Sequence, residues 1–236
     1  MRSLEYFRRL VCIQEGYALQ RLAGSTGLAQ DDVERLVTMA LISHDLGKAT
    51  REWQKAAWDT VELWLEEDPR HEELLTPEEH CLLSQGRSQT FLARFPSLSD
   101  PFREPRRPPH ATVSAYAVWE LFVRLWDGLG EAAALAVAHH HSVRAAEVPR
   151  YQLKPEWLEH FAGLLRTEAG IEVRREDFIE ARRSTTELEP RMPPFHREIQ
   201  YTVYLVVSRC LSLSDRMAAG GGEDAILDFE KWTGSL

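Results

Sequence analysis

Apolar residues along this 236-residue chain recur at intervals of three and four, and the apolar-polar alternation of a half-buried strand is nearly absent. A chain patterned this way buries the stripes of helices against one another rather than the faces of a sheet, so the expected fold class is all-α. A hydrophobic content of 44% is enough for a substantial core, and the length predicts one large domain over residues 1–236. No internal repeat or low-complexity segment is present.

The spacing predicts a first helix from Leu4 to Ala23, stopped by Gly24. A second begins at Asp31, whose side chain can cap it with Glu34 at the capping-box position, and it buries Val33, Leu36, Val37, Ala40 and Leu41. That stripe delivers His44 and Asp45 to the inner end of the helix, because residues three and four apart share a face. A third helix runs from Arg51 into the region of Trp64 and ends at Pro69, with Trp53 facing the core or lining the mouth of a site at Lys48. Pro77 opens another helix through Phe91, and five prolines between Pro96 and Pro109 exclude regular helix there. His110 then starts a helix that carries Trp119, Phe122 and Trp126 at helical spacing. Gly128 and Gly130 break it, and an Ala-rich helix follows from Glu131 to His141. Beyond Pro149 and Pro155 lies a helix with Trp157, Leu158, Phe161 and Leu165, and the charged stretch after it, to Glu189, reads as peripheral. Pro193 and Pro194 introduce a long helix from His196 to Met217, ended by Gly220, Gly221 and Gly222.

Several classes are excluded by composition. A net charge of -9 and a pI near 5.5 oppose a protein that grips nucleic acid by bulk electrostatics. Phosphate work must be local, through bound cations or a restricted basic surface such as the loop with Arg103, Arg106 and Arg107, which reads as more often solvated and idle than DNA-steering. Cys12, Cys81 and Cys210 are far apart, odd in number and free of CxxC spacing, which points to a reducing, cytoplasmic compartment. The first residues are interrupted by charge and lack the apolar core of a signal peptide. The most apolar run, Tyr201 to Val207, falls short of the roughly 20 residues a membrane-spanning helix needs.

Chemistry concentrates in His44, Asp45, His110, His140, His141 and Asp215, each at an end or inner face of an apolar helix, with four helices contributing. A His-Asp pair in isolation is more often a surface acid beside an ordinary histidine, and His110 or Asp215 alone could be a loop histidine or a solvated acid beside Arg216. Their order and context make a set. His71, His80, His160 and His196 sit among charged residues and read as surface histidines. Helical bundles build metal sites by pointing such side chains into a shared interior, and imidazole with carboxylate suits first-row divalent ions better than calcium. The chemistry is hydrolysis: bound cations acidify water and stabilise charge on a phosphoryl oxygen, and two ions about 3.5–4 Å apart can clamp the attacking and leaving oxygens of a phosphodiester. Asp45 is the natural bridge between them.

His44-Asp45 followed by Gly47-Lys48-Ala49-Thr50, His110 with Ser114-Ala115 behind it, the His140-His141 pair after an Ala-rich helix, and Leu213-Ser214-Asp215 resemble the HD nuclease domain of the type I CRISPR-associated helicase-nuclease. The resemblance runs from Ser43 to Ala218 and implies an HD-domain-like helical bundle. It implies one cation held by His44, Asp45 and Asp215 and a second by Asp45, His110, His140 and His141, with Asp45 and Lys48 as the catalytic residues and Lys48 on the substrate phosphate. One or two divalent transition metal ions follow, Mn, Ni, Fe or Co, with Mg admissible. The family pattern of a His-His pair before a small residue matches His140-His141-Ser142 and leaves His139 as a neighbour.

The implied substrate is single-stranded DNA, cleaved by metal-activated water in type I CRISPR interference. The implied partners are a CRISPR helicase subunit or domain, since no GxxxxGK[ST] loop occurs here, and a guide-RNA surveillance complex; no membrane is involved. The chain departs from the family in having no histidine before His44, where a first-helix ligand is usual; Gln14 and Glu15 are the nearest positions, so the site holds either one ion or two. Two other readings share the scaffold: an HD phosphohydrolase acting on nucleotides, and a catalytically silent adaptor without the first-helix ligand.

Overall fold

The computed structural model describes residues 4, 7–8, 16–57, 59, 108–141, 147–181 and 198–220, the last five of these for their backbone only. Among them the regular structure is helical, and strand-like pairing is limited to isolated bridges such as the one between Thr50 and Leu153. In chain order these are α1 (Gly16–Thr26), α2 (Gln30–Ser43), a 3-10 turn (Leu46–Ala49), α3 (51–57), α4 (His110–Ala138), α5 (Pro155–Ala169), a short 3-10 turn (Arg175–Asp177) and α6 (Glu198–Gly220). This is the all-α bundle that the periodicity predicts.

Helix α4 is the hub. It packs against α6, α2 and the first 3-10 turn, while α2 also meets α1, α5 and α6. The α4 sequence is apolar nearly all round, and Val113, Ala117, Val118, Leu121, Phe122 and the run Ala132–Ala138 are buried, which fits a helix surrounded by others. Small alanines in its second half let neighbouring backbones approach closely. At the far end of α5, Arg35 donates from Nε to the Ala169 carbonyl and from Nη2 to the Gly170 carbonyl, both at 2.9 Å, closing two helix-end acceptors that have no intrahelical donor.

The α4 break falls at Trp126 (φ -140°, ψ 19°) and Asp127 (φ 46°, ψ -131°), just before the glycines rather than at them. Asp127 carries the strained positive φ, and the glycines permit close contact instead. A Cβ on Gly130 would lie 2.0 Å from the Phe122 carbonyl oxygen, and one on Gly128 would lie 2.5 Å from Gln200 Nε2, which donates to the Gly128 carbonyl at 3.0 Å. The break therefore folds the second half of α4 back onto the end of its first half.

Other boundaries differ from the sequence expectation for local reasons. α1 passes through Gly24 and ends at Gly27 (φ +74°), with Ser25 Oγ and Thr26 Oγ1 donating to the Arg21 and Leu22 carbonyls at 2.8 Å each. An interior glycine weakens a helix by only about 1 kcal/mol, whereas a left-handed one ends it. α2 starts at Gln30 with Ala29 as its cap and no side-chain cap bond, so Asp31 and Asp32 act through the helix dipole instead of the predicted capping box. The stretch after α5 is not peripheral as far as residue 181: Ile171, Val173, Phe178 and Ala181 are buried, and Ile179 donates its N–H to the Ala117 carbonyl at 2.9 Å. Trp53 is buried in the core rather than at a site mouth. α3 is seen over 51–57, while its expected continuation to Trp64, the Pro77–Phe91 helix, the proline-rich arginine loop to Arg107, and Gln14 and Glu15 lie outside the described residues.

Replacing Gly130 with alanine overpacks the α4 fold-back and is expected to destabilise the protein by roughly 1–3 kcal/mol in chemical denaturation. Parental stability would contradict the 2.0 Å approach to the Phe122 carbonyl.

Candidate metal centre

The buried stripe of α2 continues through Ile42 and Ser43 to His44, which caps the helix and donates its backbone N–H to the Ala40 carbonyl at 3.0 Å. The ring Nδ1 faces the Leu41 carbonyl at 2.6 Å. A carbonyl only accepts, so Nδ1 carries a proton and Nε2 is the nitrogen turned inward. His140 repeats the arrangement at the end of α4, with Nδ1 donating to the Val137 carbonyl at 2.6 Å.

The turn that carries Asp45 and Lys48 is locked from three sides. Thr50 Oγ1 donates to the Gly47 carbonyl at 2.8 Å, Gln54 Nε2 donates to the Lys48 carbonyl at 2.6 Å, and the Gly47 N–H donates to Ser114 Oγ at 2.7 Å. Gly47 has no room for a side chain, since its Cβ would fall 2.3 Å from the His110 carbonyl oxygen and 2.8 Å from the His110 Cα. The turn and the start of α4 are thus in backbone contact, which sets His110 beside Asp45.

The side chains converge. His44 Nε2 lies 3.4 Å from Asp45 Oδ2 and 3.4 Å from Asp215 Oδ1, and His110 Nε2 lies 3.5 Å from Asp45 Oδ1. Lys48 Nζ, itself buried, pairs with the same Asp45 oxygen at 2.7 Å. Ring centroids are 5.1 Å apart for His44 and His140, 5.5 Å for His110 and His140, 4.9 Å for His110 and His141, and 4.0 Å for His140 and His141. Ligand atoms form two groups, His44 with Asp45 and His140, and His110 with His140 and His141, all within 4.8 Å of one another in each. His140 is therefore shared, where the resemblance assigns it to the second ion alone. Asp45 reaches both groups, one oxygen toward His44 and the other toward His110. His139 turns away, with Nδ1 at 3.1 Å from the Tyr204 hydroxyl, so the pair facing the centre is His140 and His141.

A family model described as Cas3, HD domain, matches residues 11–220. The chain belongs to the Cas3 HD-domain family. No curated protein and no solved structure matches it. The family is one of CRISPR-associated HD nucleases.

The donor set suits the divalent metals that HD domains bind. His44, His110 and His140 each keep a buried Nε2 with no hydrogen-bond partner among the described residues. A buried polar atom left so costs about 1–3 kcal/mol, and coordination satisfies it. Three imidazole nitrogens with two carboxylates are ligands for first-row ions.

Electrostatics divide the clustered side chains. Burial holds the pKa of His110 down at about 3, with the Lys48 charge adding to it, and burial beside the His44 charge holds that of His140 down at about 4, so both rings are neutral and ready to coordinate. Burial works on His44 in the same sense, but the negative charges of Asp45 and Asp215 and the Leu41 carbonyl outweigh it and raise the pKa above 6.5. Burial alone would raise the Asp45 pKa, yet His44, Lys48 and His110 hold it well below the usual carboxylate range. For the protein alone, the His44 charge contributes stability that is complete below the unfolded value of 6.5 and is lost as the pH rises through the raised folded value.

The sequence names the side chains that cluster here but not their supports. Ser114 lies in the quoted motif without a role, and nothing in the sequence links Tyr204 to His139. Helical spacing gives the only hint, since Ser114 stands one turn after His110 on the same face of α4.

An arriving ion takes the place of the His44 proton, so divalent metal binding at a pH below the raised His44 pKa is expected to release about one proton per chain. Below the raised His44 pKa, affinity should fall about tenfold per pH unit. Calorimetry in buffers of different ionisation enthalpy measures both, and binding without proton release would contradict the assignment of His44.

Proposed function

We propose that the chain is a metal-dependent nuclease module that cleaves single-stranded DNA in type I CRISPR interference. One observation carries the reading: three partnerless buried imidazole nitrogens and two carboxylates from α2, α4 and α6 meet beside a buried lysine. Bound divalent ions would supply Lewis acidity, bringing the pKa of water toward neutrality and offsetting charge on the scissile phosphoryl group.

The chain's own residues do the holding and steering. His44, Asp45 and Asp215 would hold one cation, and His110, His140 and His141 the other, with Asp45 as the bridge and His140 within reach of both. If the centre holds a single ion, the His44, Asp45 and His140 group is the better buried. Lys48 has its ammonium on Asp45 and its carbonyl fixed by Gln54, so it stands at the edge of the centre where a phosphate oxygen would approach. A strongly acidic chain needs such a local cation. His141 is exposed and marks the side from which a strand can enter.

We infer that the whole chain acts as one module, fed by a helicase subunit or domain and licensed by a guide-RNA surveillance complex. Among the described residues no helix is long and apolar enough to cross a membrane.

Asp45→Ala is expected to lower Mn- or Ni-dependent cleavage of single-stranded DNA by more than about 10³-fold while the far-UV circular dichroism stays parental. If the parental protein with Mn or Ni leaves single-stranded DNA intact yet releases phosphate from nucleotides, the nucleotide phosphohydrolase reading replaces this one.

A further inference from the structure

The two carboxylate oxygens of Asp45 are not equivalent. Oδ2 faces His44 Nε2 at 3.4 Å, whereas Oδ1 is claimed twice, by His110 Nε2 at 3.5 Å and by the Lys48 ammonium at 2.7 Å. The ammonium therefore sits on the oxygen turned toward the His110 group and leaves the oxygen beside His44 untouched.

Lys48 is built into this position. It is buried, its N–H donates to the Asp45 carbonyl at 2.9 Å, and its own carbonyl accepts from Gln54 Nε2 at 2.6 Å. Its charge reaches the rings of the same group: burial lowers the pKa of His110 and of His141, and Lys48 lowers both further. The contact with Asp45 is one of charge on charge. Oδ1 is buried and accepts no hydrogen bond among the described residues, so the ammonium meets it without a directed bond that would hold it there. A carboxylate drawn this far from water requires a cation, and Lys48 supplies one.

We propose that Lys48 stands in for the second cation: in the metal-free protein its ammonium neutralises Asp45 at Oδ1, and it gives up that oxygen when an ion enters the His110, His140 and His141 group. The inference rests on the metal-dependent reading and adds to it a device that orders the two ions. Positive charges in contact with one carboxylate oxygen repel each other, so ammonium and ion exclude one another there. Two consequences follow from the exclusion. An ion beside His44 uses Oδ2 and meets no ammonium, whereas an ion beside His110 must displace one, which makes the second ion the weaker. The displaced ammonium, on its flexible four-carbon stem, is then free to meet an anion such as a phosphate oxygen only once the centre is filled.

The test titrates Mn into the metal-free protein without DNA and reads the free ion by electron paramagnetic resonance. The parental protein should hold one Mn tightly and a second more weakly. Lys48→Met, close in size but uncharged, should tighten the second by about tenfold or more and leave the first nearly unchanged, while Lys48→Arg, which keeps the charge, should not tighten it. Thermal melting gives a second readout. Lys48→Met should melt below the parental protein without metal and lose that deficit in saturating Mn, because the parental ammonium has by then left Asp45. Lys48→Gln takes the place of Lys48→Met in both measurements if the latter does not fold. The proposal is overturned if the neutral variants bind the second Mn no more tightly, if Lys48→Arg tightens it equally, if the melting deficit persists in Mn, or if parental and neutral proteins alike hold a single ion. Tightened Mn binding in a protein that leaves single-stranded DNA intact would keep the device and remove the nuclease reading, and unaltered binding in one that cleaves would do the reverse.

Discussion

The backbone contact between Gly47 and His110 is the constraint on which the centre depends. It is the point where the turn after α2 touches the start of α4, and its closeness, 2.3 Å from a notional Cβ to a carbonyl oxygen, leaves room for glycine alone. Ser114 adds the hydrogen bond that fixes the register, accepting the Gly47 N–H at 2.7 Å from one turn further along α4. With those two contacts made, His110 has no alternative but to sit beside Asp45. Without them His44 and Asp45 would be the ragged end of a helix and His110 the start of another.

From there the arrangement follows from ordinary helix physics. The ring nitrogens of His44 and His140 that face away from the centre are occupied by carbonyls three residues back, which fixes both tautomers with no further partner. The α4 fold-back at Asp127 then brings the end of that helix, and with it His140 and His141, across to α6 and Asp215. Local strain at one positive φ is thereby exchanged for the burial of a whole alanine-rich turn. Burial does the rest, since it keeps His110 and His140 neutral, while the two carboxylates make His44 the one ring that prefers a positive partner.

Much of this was legible in the sequence. Helical spacing in Val33, Leu36, Val37, Ala40 and Leu41 dictates which face of α2 is buried, and so places His44 inside. The start of α4 at His110 could be read from the prolines before it, and the Cas3 HD-domain resemblance gives the order of the candidate ligands. Details set by tertiary contact were not legible. Asp31 looks like a cap but Ala29 holds that place, the break comes at Asp127 because the glycines after it are needed for close approach, and residues 171–181 look solvated because their few apolar side chains alternate with charges. The sharing of His140 between the two groups was hidden for the same reason, since it depends on where the last turn of α4 comes to rest.

Anomalous diffraction from crystals soaked in Mn would show whether the clustered imidazoles and carboxylates hold a metal. A peak is expected within coordination distance, about 2.0–2.3 Å, of His44 Nε2 and an Asp45 oxygen, and a second, where present, beside His110 and His141. A peak elsewhere on the molecule, or none at millimolar Mn with the histidines unmoved, would contradict it.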